Sequence, residues 1–354
     1  MGSISTSEAR GLYTKMIVDV YKERNVPQSF LRSFFKVKES ATKLISVEVK
    51  RGTEKIAVDV QRGTEGNRNA FGLSTERVIL PPYYREYFDG TDLDLYDRLF
   101  GTSGEVDAAI FSQFMDTVAE KYGMLQDKID RAYEKQCADV FTTGVLTLAD
   151  GSTIDFKRKT ASIIDVADIN ANRRWTDSTN SKPYTDLENG AKFLREKGKS
   201  SGSVVNAIMG AKALAAFLDN TKVQSRADIR NFSLDMISAP QRNSVGASYN
   251  GSVSAGAYRV DLWSYPEIYE NTSGVATPFI EEEKVILLPE TPRFTMAFAA
   301  VPRLLNDGAQ PMKGQYVLGD YIDERNSAHI FDIKSAGVAV PVAVDQIYTM
   351  KVVA

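Results

Sequence analysis

The sequence predicts a mixed α+β chain, a few helices among many strands, and three observations predict it. Between Thr102 and Gly144, apolar residues recur every three or four positions, the period of one long helix. Between Ile45 and Val60, apolar and polar residues alternate, the period of strands. Beyond residue 185, strand-like runs such as "SVVNAIM" and "KVILL" are interleaved with helix-like "AKALAAFLDN".

Composition narrows the function classes. A chain of 354 residues is long enough for one large domain or two to three ordinary ones. A formal charge of -3 argues against a surface built to grip nucleic acid, which needs a clear excess of Lys and Arg. Any contact with DNA should be loose. The single cysteine, Cys137, excludes an internal disulfide and a multi-cysteine metal cage, and its thiol is expected to be buried. No apolar run reaches the roughly 18 residues of a membrane span, and the N-terminus lacks a secretory signal, so a soluble protein made in a cytoplasm is expected. Gly2 and Thr6 fit the short myristoylation pattern, and Asn231, Asn250 and Asn271 the glycosylation pattern; both arise readily by chance.

Residues 1–40 read as an N-terminal arm with sticky points, above all "FLRSFF" at 30–35. Next, "VEVKRGTEKIAVDVQRGTEG" at 47–66 carries Arg-Gly-Thr-Glu twice. With Gly52-Thr53 as a two-residue turn, Val49 faces Ile56, Val47 faces Val58, Ile45 faces Val60, and Arg51 sits opposite Glu54. The second copy marks where the strand ends. Paired prolines in "RVILPPYYREYFDGTDLDLYDRLFG" force extended backbone. Thr102 and Glu105 have capping-box spacing at the head of a helix of roughly 35–40 residues, about 55 Å long. Asp150-Gly151 reads as a hairpin tip, and residues 170–185 as a polar link. A second capping box, Thr185 to Glu188, opens the next helix, which Gly198 stops.

Catalytic patterns are scarce. Gly198-Lys199-Ser200 lacks the upstream glycine of a phosphate loop, because Phe193 stands there. Gly198 to Gly202 spells a nucleophile elbow around Ser200, but the helix-before-strand order is the reverse of what an elbow needs. Asp89, Asp92, Asp94 and Asp97 lack the Gly and Glu of a calcium loop and read as a solvated strand face. His329 is the only histidine, so any Ser-His-Asp triad would have to use it; a surface or hydrogen-bonded core role is favoured. Met124, Tyr122 and Tyr133 read as packing residues of the long helix. No catalytic, cofactor-binding or metal-binding residue emerges, and no cofactor is expected.

The blocks "FLRSFF", "VILPPYYREYFDGTDLDLYDRLFG", "VFTTGVLTLADGSTIDF", "VVNAIMGAKALAAFLDN" and "GQYVLGDYIDERNSAHIFDIKSAGVAVPVAVDQIYTMKVV" stand in an order and spacing that resemble the lambda-like major capsid proteins of tailed bacteriophages, the capsid protein E family, across nearly the whole chain. The resemblance implies the Hong Kong 97 type capsid fold. It divides the chain into an arm (1–40), an extended β-hairpin loop (41–75), a peripheral domain (76–184) with a spine helix at about 103–143, an axial domain (185–312), and a C-terminal return to the peripheral domain (313–354). The loop would reach over a neighbouring subunit, with Lys50, Arg51, Glu54, Lys55, Asp59, Arg62 and Glu65 setting register and Val47, Val49, Ile56 and Val58 as its apolar face. A two-stranded hairpin is marginal alone in water, which independently calls for a covering surface.

The implied function is a non-enzymatic shell subunit that assembles with itself into hexamers and pentamers of an icosahedral head in the host cytoplasm. Double-stranded DNA would be enclosed by loose contact, with scaffold, portal and decoration proteins as further partners and no membrane. Two alternatives stay open: an encapsulin-like shell around protein cargo, and a carboxylate-dependent hydrolase, for which 46 Asp and Glu residues supply no singled-out pair.

Overall fold

A computed structural model describes residues 29–49, 75–91, 108–170, 172–200, 202–229, 241–242, 246–271, 273–305, 308–326 and 328–354. One helix of 35 residues, Ala108–Thr142, runs through the first of two cores. Its buried stripe, Val118, Tyr122, Ile129, Tyr133, Cys137 and Phe141, follows the three-to-four spacing read from the sequence. Cys137 is fully buried and reduced. The helix stops at Gly144, whose φ of 75° lets its amide and that of Thr143 both donate to the Asp139 carbonyl, at 3.0 and 2.9 Å. Arg158 closes over the same end, donating to the carbonyls of Phe141 (2.8 Å) and Ile347 (3.3 Å) and so tying helix to final strand. The capping box Thr102 to Glu105 lies outside the described residues. Met124 corrects the sequence reading: it is 60 % exposed and does not pack. Two positions from Tyr122, it points to the opposite side of a helix that turns about 100° per residue.

A seven-stranded sheet forms the wall between the cores. In order it holds Ile163–Asp165, Tyr348–Lys351, Lys284–Pro289, Val204–Met209, Tyr258–Ser264, Ser248–Ala255 and Gln241–Arg242. Its central strands are apolar on both faces, as the near-continuous "VVNAIM" and "KVILLP" require. Ile208, Ile286 and Leu288 belong to the first core, while Ala207, Met209, Val285 and Leu287 belong to the second. Helices Pro183–Glu196 and Ala211–Leu218 complete the second core with Leu187, Ala191, Leu194, Ala213 and Phe217.

Helix Pro183–Glu196 starts two residues before the expected capping box, with Lys182 at the cap position, no side-chain cap, and Pro183 in the first turn. Proline's fixed φ and missing N–H suit that position, so no Thr185 cap is needed. The polar link before it is irregular, as expected, but firmly held. Trp175 is buried, its amide donates to the Val352 carbonyl at 3.0 Å, and its indole donates to Asp186 at 3.1 Å. The Asp150-Gly151 turn does close a hairpin, Val145–Thr147 with Thr153–Asp155, and Gly151 adopts φ 81°.

Smaller sheets surround the long helix. Phe35–Glu39 of the arm pairs in parallel with Phe294–Phe298, which pairs antiparallel with Gly337–Val340. Tyr84–Thr91 and Val317–Asp323 flank Ala328–Ser335 in another three-stranded sheet. The strand pairings do not follow a division at residue 312. Phe294–Phe298 joins the arm, and Tyr348–Lys351 lies inside the seven-stranded sheet beside Lys284–Pro289.

Candidate assembly interface

The arm is clamped to the long helix by buried charge. Phe30, Leu31 and Phe35 are buried, with Phe30 against Trp263 and Tyr265 and Phe35 stacked on Phe141 at 5.4 Å. The Glu134 carboxylate accepts from the amides of Leu31 (2.7 Å) and Arg32 (3.1 Å) and from the Tyr265 hydroxyl (2.8 Å). Burial pushes this carboxyl up to about 7, against the opposing pull of those three donors. Arg32 reaches Asp130 at 2.6 Å, the Tyr316 hydroxyl at 3.0 Å and Gln315 at 2.9 Å, and Tyr316 also donates to Asp130. Arm, helix, sheet exit and the segment around residue 316 therefore meet at one polar knot. Sequence reading marked the aromatic run "FLRSFF" but not Glu134 or Asp130; their inward spacing on the apolar stripe, one and three residues from Tyr133, was the available signal.

Beyond the clamp the chain leaves as a ribbon. Ile45–Val49 pairs antiparallel with Thr75–Ile79, Ile45 opposite Ile79, Val47 opposite Arg77 and Val49 opposite Thr75. This non-local partner was not read from the sequence. Ile56 and Val58, the Gly52-Thr53 turn, and the charges Lys50, Arg51, Glu54, Lys55, Asp59, Arg62 and Glu65 lie outside the described residues. The ribbon is rooted by the buried side chains of Ile45 and Ile79, and by a bond from the Ala300 amide to the Thr42 carbonyl at 3.0 Å. Its flanks are apolar and open: Leu44, Val78 and Leu80 are exposed, Val78 to 63 %.

The chain then turns through buried Pro81 into strand Tyr84–Thr91. Alternate residues take opposite sides. Tyr84 and Phe88 face inward, Tyr84 edge-on to Tyr133 at 5.3 Å and Phe88 stacked on Phe331 at 5.1 Å. Arg85 and Tyr87 face outward with Tyr321 and Lys334 from the neighbouring strands. At their centre the carboxylate of Asp332 is 1 % exposed, covered by Arg85 Nε and Lys334 Nζ, each at 3.0 Å. Gly319, directly across the ladder, leaves the space it occupies. This face, with exposed Tyr83 and Tyr87 beside Arg85, has the Tyr and Arg character of protein–protein contacts.

The residues singled out for chemistry are engaged structurally. Ser200 Oγ donates to the Leu194 carbonyl at 2.9 Å and closes the helix end. His329 Nε2 lies 3.3 Å from Asp320, with its ring 4.2 Å from that of Phe331. Asp89 is exposed on its strand, whereas Asp92, Asp94 and Asp97 lie outside the described residues. Among the described residues no group of three or more His, Cys, Asp or Glu could hold a metal ion, and no helix is long and apolar enough to cross a membrane.

The model of the phage major capsid protein E family matches residues 14–352. A solved structure of a protein assigned as the capsid protein of a prophage in E. coli CFT073 is 18 % identical, and each chain is covered over 100 % of its length, with a TM-score of 0.62. A phage-related protein from Bordetella bronchiseptica RB50 is 11 % identical over 95 % of this chain and 96 % of its own, with a TM-score of 0.56. No curated protein matches the chain.

Proposed function

The chain belongs to the phage major capsid protein E family, and from that premise we propose that its copies close into an icosahedral head of hexamers and pentamers. It is a phage or prophage major capsid protein with the Hong Kong 97 type fold, and its role is structural. The head encloses the double-stranded DNA of a tailed bacteriophage or prophage and is built in the host cytoplasm. Scaffold, portal and decoration proteins are its further partners.

The observation that carries this reading is the family match across residues 14–352. Two features support it. The ribbon rooted at Ile45 and Ile79 exposes Leu44, Val78 and Leu80, and apolar flanks on a projecting two-stranded element need a neighbour to cover them. The outward Tyr83, Arg85 and Tyr87 supply side chains suited to specific contact. The extended loop, with Val47 and Val49 of its first ribbon strand and Ile56 and Val58 beyond it as its apolar face, lies over an adjacent subunit. There Lys50, Arg51, Glu54, Lys55, Asp59, Arg62 and Glu65 govern register and partner choice. The seven-stranded sheet and its helices form the axial domain, and the long helix is the spine of the peripheral one.

Size-exclusion chromatography followed by negative-stain microscopy tests the reading. Closed shells of uniform diameter are expected; a stable monomer at high concentration would overturn it. Nuclease-protected nucleic acid in shells recovered from infected or induced cells would identify the content.

A further inference from the structure

Between the arm strand and the end of helix Pro183–Glu196 lies a cavity of about 370 Å³. Three separate segments bring a cation to its wall: Lys36 from the arm strand, Lys199 from the turn after the helix, and Arg293 from the approach to strand Phe294–Phe298. Among the described residues that line it there is no carboxylate, although the chain as a whole carries a net charge of -3. Asp345, next to the lining residue Gln346, is drawn onto Lys159 Nζ at 2.7 Å.

A helix C-terminus would normally oppose an anion here, because its last carbonyls carry partial negative charge. In this protein the carbonyls of Phe193 and Leu194 are already met. The Leu194 carbonyl accepts from both the amide (3.3 Å) and the hydroxyl (2.9 Å) of Ser200, and that of Phe193 accepts from the amides of Lys197 (2.8 Å) and Gly198 (3.3 Å). The Gly198 carbonyl accepts from Gln346 Nε2 at 3.1 Å, while Gln346 Oε1 takes the Arg293 amide at 2.9 Å and fixes the backbone that carries the guanidinium. Lys199 adopts a φ of 49°, a left-handed conformation rare for a residue with a Cβ. The same wall carries the hydroxyl-bearing residues Thr291 and Thr295.

We propose that this cavity binds a phosphate group, gripped by Lys36, Lys199 and Arg293. Lysine supplies point charge and arginine a planar fork that matches phosphate oxygens two at a time. The size lies within the range of small-ligand sites, roughly 300–1,000 Å³, so the phosphate can arrive as a free ion or carried on nucleic acid. The inference goes beyond the shell reading, since a single subunit contains every residue it uses.

The test is calorimetric titration of the full chain with inorganic phosphate and, separately, with a short DNA duplex, at low salt and with chloride as control. Saturable binding is expected, weakened about tenfold by Arg293→Gln and also by Lys36→Gln, in proteins whose melting matches the parent. Arg325→Gln, on a surface turn remote in sequence, should leave binding unchanged. If phosphate alone saturates, the site takes the free ion; if phosphate also displaces the duplex, nucleic acid is the source. Binding of neither probe, or equal weakening by Arg325→Gln, overturns the proposal. So does intact phosphate binding in both pocket variants.

Discussion

On one face of the seven-stranded sheet, Ile208, Ile286 and Leu288 join a core of aromatic rings threaded by Glu134, Asp130 and Gln136. On the other, Ala207, Val285 and Leu287 join a mainly aliphatic core with Asp186 as its buried carboxylate. The first core is assembled from the arm, the long helix and segments near residues 265 and 316, which are remote in sequence; the second is largely a sheet with helices laid against it. Aliphatic packing is tolerant of how its pieces arrive, whereas a buried carboxylate with three donors accepts one arrangement only. The contrast teaches that polar groups here specify where the arm and long helix meet, and that apolar area holds the sheet together.

That contrast can be broken most severely at Glu134. Glu134→Ala strands the Leu31 and Arg32 amides and the Tyr265 hydroxyl, and should cost about 4 kcal/mol in denaturant unfolding of the subunit. A subtler test uses pH. The folded carboxyl sits at about 7 against an ordinary 4.5, so between those values the unfolded chain is ionised while the folded one keeps its proton. Stability therefore falls as pH rises from 4.5 to 7, by about 3 kcal/mol, and Glu134→Gln should remove this slope from a plot of Tm against pH. In the second core, Asp186 accepts from Arg173 at 2.5 Å and Trp175 at 3.1 Å. Asp186→Asn should cost about 2 kcal/mol with no comparable change around residues 29–39, measured by amide exchange. Smallest in subunit stability is Arg51→Glu in the loop, expected within about 0.5 kcal/mol of the parent yet deficient in particles by electron microscopy. Normal particles from that variant would remove the loop's assigned role.

Much of the local structure was legible because it is local. Tyr122, Ile129 and Tyr133 repeat at helix spacing, Asp150-Gly151 is a turn by its own chemistry, and Val285 to Leu288 read as a strand from their apolar run. The failures are non-local. Ile45–Val49 alternates identically whether its partner is at residue 58 or residue 77, so sequence pattern alone favoured the nearer one. Trp175 looked like part of a solvated link because its neighbours are polar, while its anchors, Val352 and Asp186, lie elsewhere in the chain. The outward cluster around Asp332 needed two strands in register before Arg85 and Lys334 could be seen to cover one carboxylate. The family resemblance supplied what pattern could not, the order of blocks across the chain.

Strand Tyr348–Lys351 occupies an interior slot of the seven-stranded sheet, between Ile163–Asp165 and Lys284–Pro289. Both of its neighbours leave the ribosome earlier, and at roughly 5–20 residues per second the slot stands open for several seconds after Pro289 has emerged. During that interval the sheet wall is unfinished, and so are the two cores that share it. A nascent chain therefore lacks, until Ile347, Tyr348 and Met350 are made, side chains that both cores bury.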